Sequence, residues 1–266
     1  MTNFSPTPNM IAEKKGPVGR LVFNKPQKHN ATSTDMWEAI PIILDEFEKD
    51  PAIRVVVVTG AGDKAFVSGA DISEFEKARN TPEQVAYYDK IGEIANTRLS
   101  KCSKPTIARI RGYCIGGGLA VSLLCDIRIA SENSKFGVPA ARLGLGYEYA
   151  GLATLARLVG PSAAKDILFS ARQLEADEAL RLGLVNFVCS ADALGERVSD
   201  YAEAIAGNAP LTIKAAKAAM RLFERYSDVA DERPIDELVN RCFDSDDYRE
   251  GRRAFMDKRA PRFSGS

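Results

Sequence analysis

The run Arg111-Gly112-Tyr113-Cys114-Ile115-Gly116-Gly117-Gly118-Leu119-Ala120 places three consecutive glycines between a strand-like apolar segment, Thr106–Ile110, and a helix-like segment at 119–124. The start of a helix leaves its first N–H groups without intrahelical acceptors, and the positive end of the helix dipole lies behind them. Glycines keep such donors uncovered, and a developing negative charge on an oxygen is the ligand they suit. A second glycine turn, Ser68-Gly69-Ala70-Asp71-Ile72, follows the strand-like run at 54–59. Two such turns can aim two N–H groups at one oxygen. Close packing of a strand against a helix asks for the same glycines, and taken alone Gly116 to Gly118 read as that packing; joined to the second turn, the oxyanion reading leads. Further on, Arg142-Leu143-Gly144-Leu145-Gly146-Tyr147-Glu148-Tyr149-Ala150-Gly151 brings a carboxyl and a phenol into one short segment. In apolar surroundings that raise its pKa, Glu148 could serve as a general acid or base. Tyr147 could donate a hydrogen bond to a substrate carboxylate or hydroxyl. A loop acid facing solvent and an aromatic filling a core gap are the competing readings, and Arg142 reads as a surface salt-bridge partner.

A chain of 266 residues can bury a full core as one large domain or as a domain with an appendage. Lys plus Arg equals Asp plus Glu at 36 each, which argues against nucleic acid or an anionic membrane as a bulk electrostatic partner while leaving room for a local phosphate pocket. The apolar runs are too short to span a bilayer. Residues 1–10 are polar and Pro-containing, without a basic region followed by an apolar stretch, so a cytoplasmic protein is expected. Cys102, Cys114, Cys125, Cys189 and Cys242 are scattered with no CxxC, which suits reduced, buried thiols. His29 is the single histidine, which excludes a His-rich metal cluster and weakens Ser-His-Asp catalysis. Gly60-Ala61-Gly62-Asp63-Lys64-Ala65 fits a loose dinucleotide pattern after a strand, but another glycine turn stands where the helix should begin, so an ordinary turn is expected.

The elements that must hold these turns follow from periodicity. Val18–Phe23 reads as a strand, and Thr34–Lys49 as a helix with Met36, Ile40, Ile43, Leu44 and Phe47 on one face, capped by Ser33 or Thr34. A fully buried strand is expected at 53–59. Thr81-Pro82-Glu83 signals a helix running to about Leu99. Strand, helix and strand follow at Thr106–Ile110, 117–124 and 127–130. Helices are expected at 162–169 and 175–182, the latter closed by Gly183, then a short strand at 185–188 and charge-rich helices from 191 onward. The alternation predicts an α/β fold.

In order and spacing, these pieces resemble the crotonase (enoyl-CoA hydratase/isomerase) superfamily over nearly the whole chain. The match begins at the loop from Asn24-Lys25-Pro26 to Asn30. It continues through both glycine turns, Cys125-Asp126-Ile127-Arg128 and Phe136-Gly137-Val138-Pro139. It ends at Ser245-Asp246-Asp247-Tyr248-Arg249-Glu250-Gly251 and Phe255-Met256-Asp257-Lys258-Arg259. The resemblance implies a spiral of ββα units over 1–200 and a C-terminal helical oligomerisation region over 201–266. A homotrimer or dimer of trimers is implied with it. It also implies that the N–H groups of Ala70 and Gly117 form an oxyanion hole for a thioester enolate. Lys28, His29, Ala70, Asp71 and Ile72, with Phe255 and Lys258, are implied to contact CoA, sometimes across subunits. The partner implied is an acyl-CoA thioester, with no metal or redox cofactor.

The family's hydratases carry two glutamates at positions that are Ala120 and Ala140 here, and alanine moves no proton. Dienoyl-CoA isomerases and 4-chlorobenzoyl-CoA dehalogenases of the superfamily place a catalytic aspartate at the position of Glu148. Methylmalonyl-CoA decarboxylases place a functional tyrosine at Tyr147, although their upstream histidine is replaced by Ala70. The resemblance therefore implies isomerisation or decarboxylation ahead of two-glutamate hydration. A hydratase using Glu148 alone and a non-catalytic CoA-binding or assembly subunit are the alternatives.

Overall fold

The computed structural model describes residues 2–74, 80–147, 149–208, 210–226, 240, 243–259 and 261. In chain order come strands β1 (Thr2–Thr7), β2 (Met10–Lys15) and β3 (Val18–Phe23), helix α1 (Thr34–Lys49), strands β4 (Val55–Gly60) and β5 (Ala65–Val67), and helix α2 (Pro82–Ser100). Then follow β6 (Thr106–Ile110), β7 (Tyr113–Ile115), α3 (Gly117–Leu123), β8 (Ile127–Ser131) and β9 (Lys135–Gly137). The remainder is α4 (Tyr149–Ser170), β10 (Leu174–Glu175), α5 (Ala176–Arg181), β11 (Phe187–Cys189), α6 (Leu194–Ala206), α7 (Pro210–Tyr226) and α8 (Asp246–Met256).

The strands form two sheets. A seven-stranded sheet runs β1-β2-β3-β4-β6-β8-β11, and a four-stranded sheet runs β10-β9-β7-β5. From β3 onward the large sheet is parallel, while β1, β2 and β3 pair antiparallel. The α/β fold is the one the sequence predicts. At its centre β4 is buried at every position, as a parallel strand covered on both faces must be. Its side chains alternate between two cores. Val56 and Val58 join the large core, with Phe23, Phe66, Ala108 and Ile110. Val55 and Val57 join a smaller one with Ile107, Ile129, Leu194, Val198 and Ala202, which lies under α6.

α1 buries the five residues expected and also Trp37 and Ala39, and packs along α2. Trp37 Nε1 donates to the Tyr88 hydroxyl at 2.9 Å, fixing that crossing. α2 begins with a capping box. The Thr81 hydroxyl accepts from the Gln84 N–H, and the Gln84 side chain accepts from the Thr81 N–H.

Several expectations change. β1 and β2 replace the featureless N-terminal stretch, and β5, β7, β9 and β10 form a whole sheet without a periodic signal. The helix expected at 162–169 is the second half of α4, which follows a kink at Gly160 (φ 80°) and Pro161, and a first helical half from Tyr149 was not expected. The strand expected at 185–188 is Phe187–Cys189, since Leu184 and Val185 bury themselves in the turn after α5. α6 runs across residue 200. No helix among the described residues is long and apolar enough to cross a membrane. Cys102, Cys114 and Cys125 are buried thiols and Cys189 is partly so, whereas Cys242 lies outside the described residues. Burial pushes the Cys114 and Cys125 thiols up to about 12.

Candidate active site

The glycine turns are brought together by the small sheet. β5 pairs with β7 in parallel, with Val67 opposite Cys114, and β7 pairs with β9 in parallel, with Ile115 opposite Gly137. Parallel strands end on the same edge. The turns that follow, Ser68-Gly69-Ala70, Gly116-Gly117-Gly118 and Val138-Pro139-Ala140, therefore stand side by side. A Cβ added to Gly117 would lie 4.0 Å from the Gly69 Cα, and one on Gly118 would lie 2.0 Å from the Val67 carbonyl oxygen. Gly118 thus serves the close-packing reading, and it does so beside the donors of the oxyanion reading. The loose dinucleotide pattern does not lead to a helix, because Ala65 opens β5.

Each turn engages some of its amides and leaves others without an acceptor among the described residues, Ala70 and Gly117 among the latter. The Thr32 N–H donates to the Gly69 carbonyl at 2.8 Å, and the Asp71 N–H donates to the Thr32 carbonyl at 2.9 Å. This is a parallel bridge between Thr32 and Ala70. In such a bridge the bonded groups belong to the residues flanking Ala70, so the Ala70 N–H points away from Thr32. In the second turn the Gly116 N–H donates to Gly137 at 2.8 Å, and Gly116 takes φ 56°. Gly117 is the first residue of α3, where helix geometry offers its N–H no acceptor. Among the described residues, neither the Ala70 nor the Gly117 amide has a backbone or side-chain acceptor.

Tyr147 completes this edge. Its hydroxyl lies 3.6 Å from where a Cβ on Gly116 would stand, and the same point is 3.9 Å from the Gly69 Cα and the Pro139 Cδ. Burial pushes the Tyr147 phenol up to about 12, so it is a neutral donor at physiological pH. Glu148 lies outside the described residues. Ala120 sits in α3 and accompanies Gly116 by donating its N–H to that carbonyl at 3.0 Å, and Ala140 is buried in the 3-10 turn Pro139–Arg142.

The loop expected near a nucleotide is anchored by Asn30, which is fully buried at φ 56°. Its side-chain oxygen accepts from the Lys25 N–H at 2.9 Å, and its amide donates to Ala61 at 2.9 Å and Ala65 at 2.8 Å. Lys25, not singled out from the sequence, buries its ammonium against Asp71 (2.9 Å) and Glu74 (3.0 Å). Nothing in the spacing of residues so far apart signals that pair. The Lys28 ammonium also meets Asp71 at 2.9 Å and Ser73 at 2.8 Å, so both side chains are engaged with each other at the mouth of the upstream turn. Burial alone would raise the Asp71 carboxyl, but hydrogen bonds from Ser73, Lys25 and Lys28 hold it well below the usual carboxylate range. Lys25 is raised, since bonds to Asp71 and Glu74 outweigh its desolvation. Ile72 opens a helical turn after Asp71, and His29 stacks at a tilt on Tyr113 with ring centroids 6.0 Å apart.

Phe255 and Lys258 are exposed near the end of α8, and among the described residues neither makes a ring contact, hydrogen bond or ion pair with Lys28 or His29. α8 itself sits on the loop that leads to Tyr147. A Cβ on Gly251 would meet the Leu143 carbonyl oxygen at 2.2 Å, and one on Gly144 would meet that of Asp247 at 2.6 Å.

A family model described as enoyl-CoA hydratase/isomerase matches residues 13–266. The short-chain-enoyl-CoA hydratase of Clostridium acetobutylicum is 38% identical over 252 residues, covering 94% of this chain and 95% of that protein. A solved enoyl-CoA hydratase/carnithine racemase from Magnetospirillum magneticum is 37% identical with a TM-score of 0.79, covering 97% of this chain and 96% of that one. A solved methylmalonyl CoA decarboxylase is 27% identical with a TM-score of 0.88, covering 99% of this chain and all (100%) of the other.

Proposed function

Because the chain belongs to the enoyl-CoA hydratase/isomerase family, we propose that it turns over an acyl-CoA thioester by holding the enolate oxygen on the Ala70 and Gly117 amides, and that it isomerises or decarboxylates rather than hydrating through two glutamates. The observation that carries this reading is the common ending of β5 and β7, which sets the Ala70 and Gly117 amides, neither of them with an acceptor among the described residues, in adjoining turns. A thioester that loses an α-proton or a carboxylate places its new charge on the carbonyl oxygen. Donors fixed beforehand stabilise that charge without reorganising, and removing one costs on the order of a hundred- to a thousand-fold in rate.

Ala120 and Ala140 can take no part in proton transfer. Glu148 is the proposed acid/base group for isomerisation, moving a proton between carbons of the acyl chain. In decarboxylation the bond to the leaving carboxylate breaks, its electron pair enters the enolate, and the α-carbon is then protonated. The neutral Tyr147 hydroxyl orients either substrate. CoA arrives as part of the substrate, with Lys28, His29 and the 70–72 backbone along its path. Phe255 and Lys258 complete the nucleotide site in a homotrimer or dimer of trimers. The hydratase name of the Clostridium acetobutylicum relative favours a second reading, in which Glu148 alone manages the water.

Proton NMR of an acyl-CoA panel in heavy water, including crotonyl-CoA and a carboxylated acyl-CoA, separates these readings. The expected result is α-hydrogen exchange with double-bond migration or loss of carbon dioxide. Exchange that disappears in Glu148→Gln supports the base assignment, and exchange that persists removes it. Fast hydration of crotonyl-CoA overturns the preference against hydration. A panel wholly without turnover points to a CoA-binding subunit.

A further inference from the structure

Three arginines lie along the face of the large sheet that packs under α6. Arg20 on β3 follows Val18 by two residues, and Arg109 on β6 follows Ile107 by two, so both continue the face that forms the core under α6. Thr59 is the register partner of Arg109, and its hydroxyl is 3.4 Å from the Arg109 Nη1. Arg111 lies two residues beyond Arg109, just past the carboxyl end of β6.

The cations outnumber their acids. Arg20 is answered by Glu13, its cross-strand neighbour, at 2.6 Å. Among the described residues Arg109 has the Thr59 hydroxyl and no carboxylate, and the buried Arg111 Nε has no hydrogen-bond partner. A guanidinium cannot shed its charge in a protein, and a buried donor left unpaired is costly. Burial first, and then repulsion from Arg20 and Arg111, lower the affinity of Arg109 for its proton. Opposite Arg109 stands the first turn of α6, which also carries Glu196. A Cβ on Gly195 would lie 3.9 Å from the Arg109 Nη2, so this glycine keeps the helix backbone close to the guanidinium. The carboxyl ends of parallel strands in an open α/β sheet are where such folds receive ligands.

We propose that Arg109 and Arg111 bind a small oxyanion, a phosphate or carboxylate, at the carboxyl end of β6. The forked guanidinium matches the paired oxygens of either group. The site is separate from the thioester site, which lies on the other sheet, and does not depend on the reading given there.

Thermal unfolding of the whole protein in inorganic phosphate, at ionic strength held constant with sodium chloride, tests this. A ligand that binds only the folded state raises Tm with the logarithm of its concentration once the site fills. The expected result is that rise in the wild type, weakened at least about tenfold in apparent affinity by Arg111→Gln and by Arg109→Gln. It should be retained in Arg249→Gln, a surface control on α8. Should a variant fail to fold, the side-chain Nε–H resonances of the wild type give a second reading, with an arginine signal shifting saturably under phosphate. Absence of any saturable response in the wild type overturns the proposal, as does an unchanged response in both arginine variants. A wild type blind to phosphate whose Arg111→Gln variant changes oligomeric state overturns it too, assigning the guanidinium to a carboxylate of a second copy.

Discussion

The Tyr147 hydroxyl stays protonated to about pH 12 because its ring is buried, so it can donate to a substrate throughout the range in which the fold survives. Tyr147→Phe keeps the ring and removes the donor. A hydrogen bond worth about 1–1.5 kcal/mol predicts a fall in kcat of roughly tenfold, with Tm nearly unchanged. Steady-state kinetics beside a melting curve check this, and an unaltered kcat would reduce Tyr147 to packing. Asp71 predicts a pH signature. Its folded pKa is depressed, so its stabilising contribution is complete above the unfolded value near 4 and is lost as pH falls through the folded one. Lys25 is raised, so its contribution is complete below its ordinary value of 10.5 and is lost as pH rises through the folded one. Asp71→Asn leaves the Lys25 ammonium, only 10% exposed, without its buried partner, and should cost about 3 kcal/mol near neutrality. The exposed Lys28 arm adds little. Urea midpoints of wild type and variant should differ by a constant amount between about pH 5 and pH 9 and converge in acid. A gap that does not begin to narrow as pH falls below about 4 would show that the pair is not its source.

At the scale of elements, α8 braces the segment that delivers Tyr147. A methyl on Gly251 would meet the Leu143 oxygen at 2.2 Å, an overlap that must lift the helix or move the loop, at a cost of about 1–3 kcal/mol. Gly251→Ala should therefore lower Tm and thioester turnover together, although it touches no proposed substrate contact. Turnover preserved at a reduced Tm would show that the loop holds its shape without α8. Elements of this length were legible because they repeat. α1 offered a full apolar face, and α2 announced its start through Thr81 and Pro82. The strands that position the active edge were not legible, since β5, β7 and β9 have three residues each and show no period. Only the glycine turns after β5 and β7 betrayed them. In α4, Gly160 and Pro161 mark the kink that separates its two helical halves, and only the second half was legible.

For the whole molecule, the seven-stranded sheet needs cover on both faces, and α6 supplies part of it. Leu194, Val198 and Ala202 bury Val55, Val57, Ile107 and Ile129. Truncation after Asp200 removes Ala202 and should yield insoluble protein, whereas truncation after Asn208 keeps the helix and should retain far-UV circular dichroism of a folded core. Equal solubility of the two would show that the sheet tolerates exposure on that side. The alternation of elements was enough to predict an α/β fold. The division into two sheets was not, because nothing in one strand states which sheet will adopt it. Gly118 carries a last consequence. With only 2.0 Å between the place of its absent Cβ and the Val67 oxygen, any larger residue must wedge β5 away from α3. The lost contacts and the misaligned amides would then appear together, so a library screened for solubility alone would discard the same variants as one screened for turnover.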